Sequence, residues 1–161
     1  MKRTLRFLDV LRWGSVIIAL ILLISMFGQT PPSDVPLRTL EEATVGYLTE
    51  SEVQPADSRM VRRLYGLNPT DYEELILYYP STNMGAEELL LVKLADTAQQ
   101  EAVQAAIETR LETQKTSFDG YGVEQFALLT EHSVMETRGV YVLFIVCQDA
   151  QSARRAFLSA L

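Results

Sequence analysis

An uncharged hydrophobic segment near the start of the chain constrains the fold more than any other feature. Residues 13–27 carry no charged side chain. Four basic residues precede this segment: Lys2, Arg3, Arg6 and Arg12. Basic residues ahead of an apolar segment are typical of a membrane-targeting helix whose basic end stays in the cytoplasm. The pattern predicts a cytoplasmic tail at residues 1–12, a single transmembrane signal-anchor at 13–28, and export of everything that follows.

A cleaved signal peptide is the alternative to an anchor. The uncharged segment would form a helix of about 22 Å, against a hydrocarbon core of roughly 30 Å. The apolar residues between Phe7 and Leu11 lengthen it, and Arg12 can extend its charge to the interface. Signal peptidase needs small residues at the cleavage site, and residues 25–29 contain no such pattern. We therefore expect an uncleaved anchor.

The remainder of the chain is predicted to be a linker followed by one domain. Residues 29–36 contain three prolines, which favour an extended linker, and residues 37–161 are long enough for one core. The chain has 14 basic and 21 acidic residues, of which four basic and one acidic lie in residues 1–13. Ten basic and 20 acidic residues remain, a net charge of −10. Such a surface repels nucleic acid, so we expect no nucleic-acid partner.

Residues for catalysis and metal binding are scarce. The chain has one cysteine and one histidine, which excludes an internal disulfide and zinc sites built from Cys and His. Cys147 follows an apolar strand-like segment and is predicted to be buried, whereas His132 is predicted to lie in an exposed turn. Adjacent glutamates on a strand point to opposite faces and do not converge on one substrate. We therefore expect no enzyme activity, no metal and no cofactor.

The hydrophobic pattern predicts an α+β domain with the order α-α-β-β-α-β-β-α. Two strand pairs with short connections, in residues 74–94 and 133–147, predict antiparallel hairpins. A segment without Pro or Gly, residues 98–118, predicts a long helix between them. The expected fold is a four-stranded antiparallel sheet of two hairpins packed by helices, preceded by the N-terminal transmembrane helix.

Two polar residues interrupt the apolar stripe of this long helix. Arg110 and Gln114 fall on or beside the stripe that contains Ile107. A buried guanidinium needs a partner or access to water, and Glu88, which begins the second predicted strand, is the expected carboxylate. One interpretation is a structural ion pair that joins helix to sheet. The other is a recognition groove in which Tyr79 and Tyr121 accompany these residues.

Several segments resemble a family of Gram-positive bacterial proteins, the domain of unknown function numbered 4358. The resemblance covers most of residues 60–161 and rests on these segments: Arg63–Gly66, Met84–Lys93, Arg110–Lys115, Phe118–Gly122 with Gln125, and Gly139–Phe144. It implies an extracytoplasmic domain behind an anchor or a lipoprotein signal, with no assigned activity and an association with cell-envelope acyltransferase systems. This chain lacks the lipidated cysteine of the lipoprotein members, which favours a protein anchor.

These observations together predict a membrane-anchored, extracytoplasmic accessory or recognition domain of the bacterial cell envelope. Its expected partners are the membrane, through the N-terminal helix, and an envelope membrane protein. The alternative is a ligand-binding or sensory ectodomain. Such a domain would need a membrane partner for signalling, because 12 cytoplasmic residues cannot form a domain. An enzyme is the third interpretation.

Overall fold

The computed structural model describes residues 34–161. The predicted cytoplasmic tail, the predicted signal-anchor and the linker up to residue 33 lie outside the described residues. Among residues 34–161, no helix has both the length and the apolar character needed to cross a bilayer.

The helices and strands of residues 34–161 follow the predicted order, with one additional strand, Val53–Pro55, and one additional α-helix, Val123–Glu131. The α-helices of the described part are α1 (Leu37–Thr44), α2 (Ser58–Tyr65), α3 (Gln100–Phe118), α4 (Val123–Glu131) and α5 (Ala150–Ala160). The strands are β1 (Val53–Pro55), β2 (Glu74–Pro80), β3 (Glu88–Lys93), β4 (Ser133–Arg138) and β5 (Tyr141–Val146). The α+β class and the antiparallel sheet are confirmed.

The sheet differs from the prediction in its number of strands. Within residues 34–161 it has five strands in the order β1-β2-β3-β5-β4, and each pairing is antiparallel. The two predicted hairpins are β2–β3 and β4–β5, which join through β3 and β5. The prediction of four strands is wrong because β1 was missed. This strand has three residues, ends in Pro55 and shows no alternation of apolar residues, so only its pairing with β2 defines it.

Helices cover both faces of the sheet. Every residue of β3 and β5 is buried, which explains their near-continuous hydrophobic sequences. Leu90 and Phe144 belong to an apolar cluster with residues of α2, α3 and α4. Leu89 and Ile145, one position along each strand, belong to a second cluster with residues of α1 and α5. The sheet is therefore the middle layer of three, and α3 lies on the face that contains Glu88.

Individual capping and turn residues determine where several helices and strands begin or end. The Asp57 side chain accepts a 2.7 Å hydrogen bond from the backbone N–H of Met60 and caps the N-terminus of α2. Gly66 ends that helix at φ 69°, in the left-handed region. Gly139, at φ 57°, lies in the two-residue turn between β4 and β5. This turn consists of Gly139 and Val140.

The first described residues are attached to the sheet. The Tyr141 hydroxyl donates to the carbonyl of Val35 at 2.8 Å and accepts from its N–H at 2.9 Å. The Lys93 ammonium lies 2.7 Å from an Asp34 carboxylate oxygen and 2.6 Å from one of Glu73. Lys93 and Tyr141 face each other across the central pair β3–β5. The end of the predicted linker is therefore docked on the two central strands.

Candidate functional site

The candidate site is centred on Glu88, the first residue of β3, whose side chain is completely buried. Its Oε1 accepts hydrogen bonds from the Tyr65 hydroxyl and from Nε of Arg110 at 3.1 Å. Its Oε2 accepts from Nη2 of Arg110 at 2.8 Å and from Nε2 of Gln114 at 2.9 Å. An ionised carboxylate has about four acceptor sites, so these four bonds fill its capacity. We refer to Tyr65, Glu88, Arg110 and Gln114 as the Glu88 cluster.

Three secondary-structure elements bring the Glu88 cluster together. Arg110 and Gln114 are four residues apart on α3, so both project from the same face of the helix. Tyr65 is the last residue of α2, immediately before the left-handed Gly66 that ends this helix. Because the three donors come from two helices and the acceptor from a central strand, the cluster joins α2, α3 and β3 through one buried carboxylate.

The electrostatics favour a neutral tyrosine and a charged arginine. Burial, followed by the neighbouring Glu88 carboxylate, raises the pKa of Tyr65 well above its ordinary value, so Tyr65 remains a hydrogen-bond donor. Burial opposes the charge on Arg110, but the hydrogen bonds and charge of Glu88 outweigh it, and the pKa of Arg110 is raised. The Arg110–Glu88 pair is bidentate, the strongest geometry for these two groups.

One atom of the Glu88 cluster has no hydrogen-bond partner in the described part of the chain. The Gln114 side chain is 5% exposed, and its Oε1 is buried without a hydrogen bond among the described residues. The Gln114 amide turns its NH₂ group toward the Glu88 carboxylate. Its carbonyl oxygen therefore points away from Glu88 and meets no donor among the described residues. The unpaired carbonyl oxygen reduces the net benefit of Gln114, since a buried acceptor without a partner costs about 1–3 kcal/mol.

The structure brings together three of the five predicted site residues. The predicted contact between Arg110 and Glu88 is confirmed, and Gln114 joins it. Tyr79 packs against the apolar cluster on the same side of the sheet, but within residues 34–161 no hydrogen bond links it to Glu88. Tyr121 follows α3 and is 63% exposed, and its ring lies tilted at 46° to that of Phe118, with 6.1 Å between the ring centroids. Neither tyrosine is hydrogen-bonded to the Glu88 cluster within residues 34–161, and a recognition groove that they share with Arg110 stays a prediction.

Sequence reasoning missed the role of Tyr65 in this site. Tyr65 lies four residues after Val61, and both are buried on the inner face of α2. This spacing was a usable signal, because a tyrosine on a buried helical face needs a hydrogen-bond partner for its hydroxyl. The buried Glu88 on the neighbouring sheet supplies that partner.

The other reactive side chains lie apart from the Glu88 cluster. Cys147 is buried directly after β5, as predicted, and burial raises the pKa of its thiol to about 11. His132 is half-buried between α4 and β4, so the prediction that it is exposed is wrong. The short connection between these elements holds it against the end of β5, where its carbonyl accepts the N–H of Cys147 at 3.2 Å. In the part of the chain that the structure describes, no group of three or more His, Cys, Asp or Glu residues could hold a metal ion.

We expect native Cys147 to resist thiol reagents. At about pH 8 its raised pKa keeps it protonated, and burial blocks access, whereas an unfolded cysteine with a pKa of about 8.5 reacts quickly. Labelling with a chromogenic disulfide reagent should therefore be slow in buffer and fast in concentrated urea. Rapid stoichiometric labelling of the folded protein would contradict the buried position of Cys147.

Comparison with known proteins identifies a family. The sequence profile described as "Domain of unknown function (DUF4358)" matches residues 47–147, which include all four members of the Glu88 cluster. Neither a curated protein nor a solved structure matches the chain. The matched segment runs from the residues just before β1 to the residue that follows β5 and spans more than half of the chain. The chain therefore belongs to the DUF4358 family.

Proposed function

We propose that this protein is a membrane-anchored accessory domain of the bacterial cell envelope, exposed on the outer side of the membrane and without catalytic activity of its own. Residues 13–28 act as the anchor, residues 1–12 remain in the cytoplasm, and the folded domain associates with an integral membrane protein of the envelope. The observation that carries this proposal is the charge pattern at the start of the chain. An uncharged segment with a basic flank precedes a region of net charge −10.

The geometry of the Glu88 cluster supports a structural role over a catalytic one. A general base needs a free lone pair near a substrate, and the four hydrogen bonds on Glu88 occupy both of its oxygens. The Arg110 side chain is 13% exposed, and the hydrogen bonds to Glu88 fix its guanidinium. The cluster therefore joins helices α2 and α3 to the sheet. Recognition of a partner would then use the outer surface of the domain.

A second candidate is a ligand-binding or sensory ectodomain that acts through a membrane partner. The observation that favours it is the buried Gln114 Oε1, which has no hydrogen-bond partner within residues 34–161 and lies beside the partly exposed Arg110. A polar ligand that reached this point would supply the missing donor. Such a ligand should raise the thermal stability of the wild-type protein and leave that of a Gln114→Leu variant, which lacks this oxygen, unchanged; this result distinguishes the candidate from the first.

Cysteine labelling of intact cells tests the proposed topology. Met84 is exposed on the folded domain, and Thr4 lies in the proposed cytoplasmic tail. A membrane-impermeant maleimide should label Met84→Cys in intact cells and label Thr4→Cys only after the cells are opened. The wild-type chain is the matched control, because Cys147 is buried.

N-terminal sequencing of the protein recovered from membranes provides an independent test. Retention of residues 1–28 supports an anchor, whereas a new N-terminus near Gln29 would show that the segment is cleaved. Labelling of Met84→Cys only after lysis would reverse the proposed orientation.

A further inference from the structure

A cleft at the junction of α3 and α4 leaves apolar side chains exposed. Its volume is about 260 Å³. It is lined by Phe118, Asp119, Gly120, Val123, Phe126, Ala127, Thr130 and Glu131. Val123 is 78% exposed, Phe126 is 37% exposed, and the neighbouring Tyr121 ring is 63% exposed. Large apolar side chains that cluster at one exposed corner are typical of an interaction surface.

The charges around this cleft have one sign. Asp119 and Glu131 line it, and the exposed Glu124 lies in the first turn of α4. Within residues 34–161 none of these carboxylates forms an ion pair, and no lysine or arginine lines the cleft. The nearest basic residue on α3, Lys115, is paired with Glu112 at 2.9 Å. The cleft therefore combines an apolar floor with uncompensated negative charge.

We infer that this cleft is the partner-binding surface of the domain and that it binds a polypeptide segment with an apolar side chain flanked by lysine or arginine. The apolar side chain of the partner covers Val123 and Phe126, beside the buried Phe118, and its basic residues neutralise Asp119 and Glu131. Complementary charge sets the orientation of the bound segment and excludes acidic segments. This inference rests on the proposed accessory function and specifies where and by what chemistry the partner is recognised.

A binding assay with defined peptides tests the inference on the full chain. The protein is placed in nanodiscs of neutral lipid, and empty discs report peptide binding to the lipid. The probe is a labelled Lys-Leu-Lys-Phe-Lys peptide, followed by fluorescence anisotropy at low salt. Two comparison peptides, Glu-Leu-Glu-Phe-Glu and Lys-Ser-Lys-Ser-Lys, separate the contribution of charge from that of the apolar side chains. We expect the first peptide to bind more tightly than either of the others.

Surface variants locate the binding. The double variant Asp119→Asn/Glu131→Gln should bind the basic apolar peptide about tenfold more weakly than the wild type. Val123→Ser should also weaken binding, because it removes an exposed apolar contact. The matched control is Glu101→Gln/Glu108→Gln, which removes two exposed carboxylates elsewhere on α3 and should leave binding unchanged.

Two results would overturn the inference: equal binding of the basic and acidic apolar peptides, or equal effects of the cleft variant and the control variant. These results are independent of the topology experiment. If the domain were labelled from outside the cell but showed no preference for the basic apolar peptide, the proposed binding at the cleft would be refuted and the proposed anchoring would stand. Binding at the cleft by a chain with the reverse orientation would refute the proposed location alone.

Discussion

Replacing Arg110 by alanine should lower the free energy of unfolding by about 3–5 kcal/mol, since the change leaves a completely buried carboxylate without its cation. Glu88 would keep the hydrogen bonds from Tyr65 and Gln114, but neither donor carries a charge. Urea denaturation followed by circular dichroism measures the effect. A loss below about 1 kcal/mol would contradict the structural role of the ion pair.

Two further variants serve as controls for this experiment: an alanine substitution at a second ion-paired arginine, and a double substitution of the buried pair. Arg154 pairs with Glu136 at 2.6 Å but is 37% exposed, so Arg154→Ala should cost less than about 1 kcal/mol. Replacement of both buried partners by uncharged residues, as in Glu88→Gln/Arg110→Met, should recover most of the stability lost in Arg110→Ala, because no buried charge remains and the new amide can still hydrogen-bond Tyr65 and Gln114. If the double variant were less stable than Arg110→Ala, packing and not the unpaired charge would explain the loss.

Changing Gln114 to glutamate should produce a destabilisation that depends on pH. The substitution places a second carboxyl about 3 Å from Glu88, where the NH₂ group of Gln114 now donates at 2.9 Å. Repulsion and burial raise the pKa of the new carboxyl above its unfolded value of about 4.3. Its destabilising effect is therefore absent below that pH, grows as the pH rises, and reaches about 2–4 kcal/mol near pH 8. Denaturation midpoints across this pH range measure it.

The control for this prediction is the same substitution at the start of α3. Gln100→Glu adds an equal charge in the first turn of α3, about 21 Å along the helix from Gln114. A negative charge is favourable at this end of a helix. Its stability should equal or slightly exceed that of the wild type. A Gln114→Glu variant with no pH-dependent loss relative to this control would show that the new carboxyl avoids Glu88.

The paired part of the Glu88 cluster was predictable because physical constraints left few alternatives. Arg110 falls in the apolar stripe with Ile107, and a buried guanidinium needs an anionic partner. Glu88 begins an otherwise apolar strand, so it was the natural candidate. The hairpins were equally predictable, because a short connection between two apolar segments favours antiparallel pairing.

The remaining parts depended on information that a single sequence lacks. Helical spacing places Tyr65 on the buried face of α2, but which sheet residue its hydroxyl meets depends on how α2 packs along the sheet, and the sequence of α2 does not give that position. Strand β1 is defined by its hydrogen bonds to β2, and its three residues show no alternation of apolar and polar side chains that would predict a strand. Tyr121 was grouped with Arg110 because of its residue type, but the chain turns away from α3 just before it, at Gly120 with φ 84°.

The docking of Asp34 and Val35 determines how the domain responds to a mechanical pull on its leading end. Tension that arrives along the chain before Asp34 meets the hydrogen bonds of Tyr141 to Val35 and the ion pair of Lys93 with Asp34. It is therefore transmitted into the two central strands, each of which is hydrogen-bonded on both sides. Helix α1, which follows in sequence, is shielded from the force until these contacts break, so the contacts of Asp34 and Val35 open before the core does.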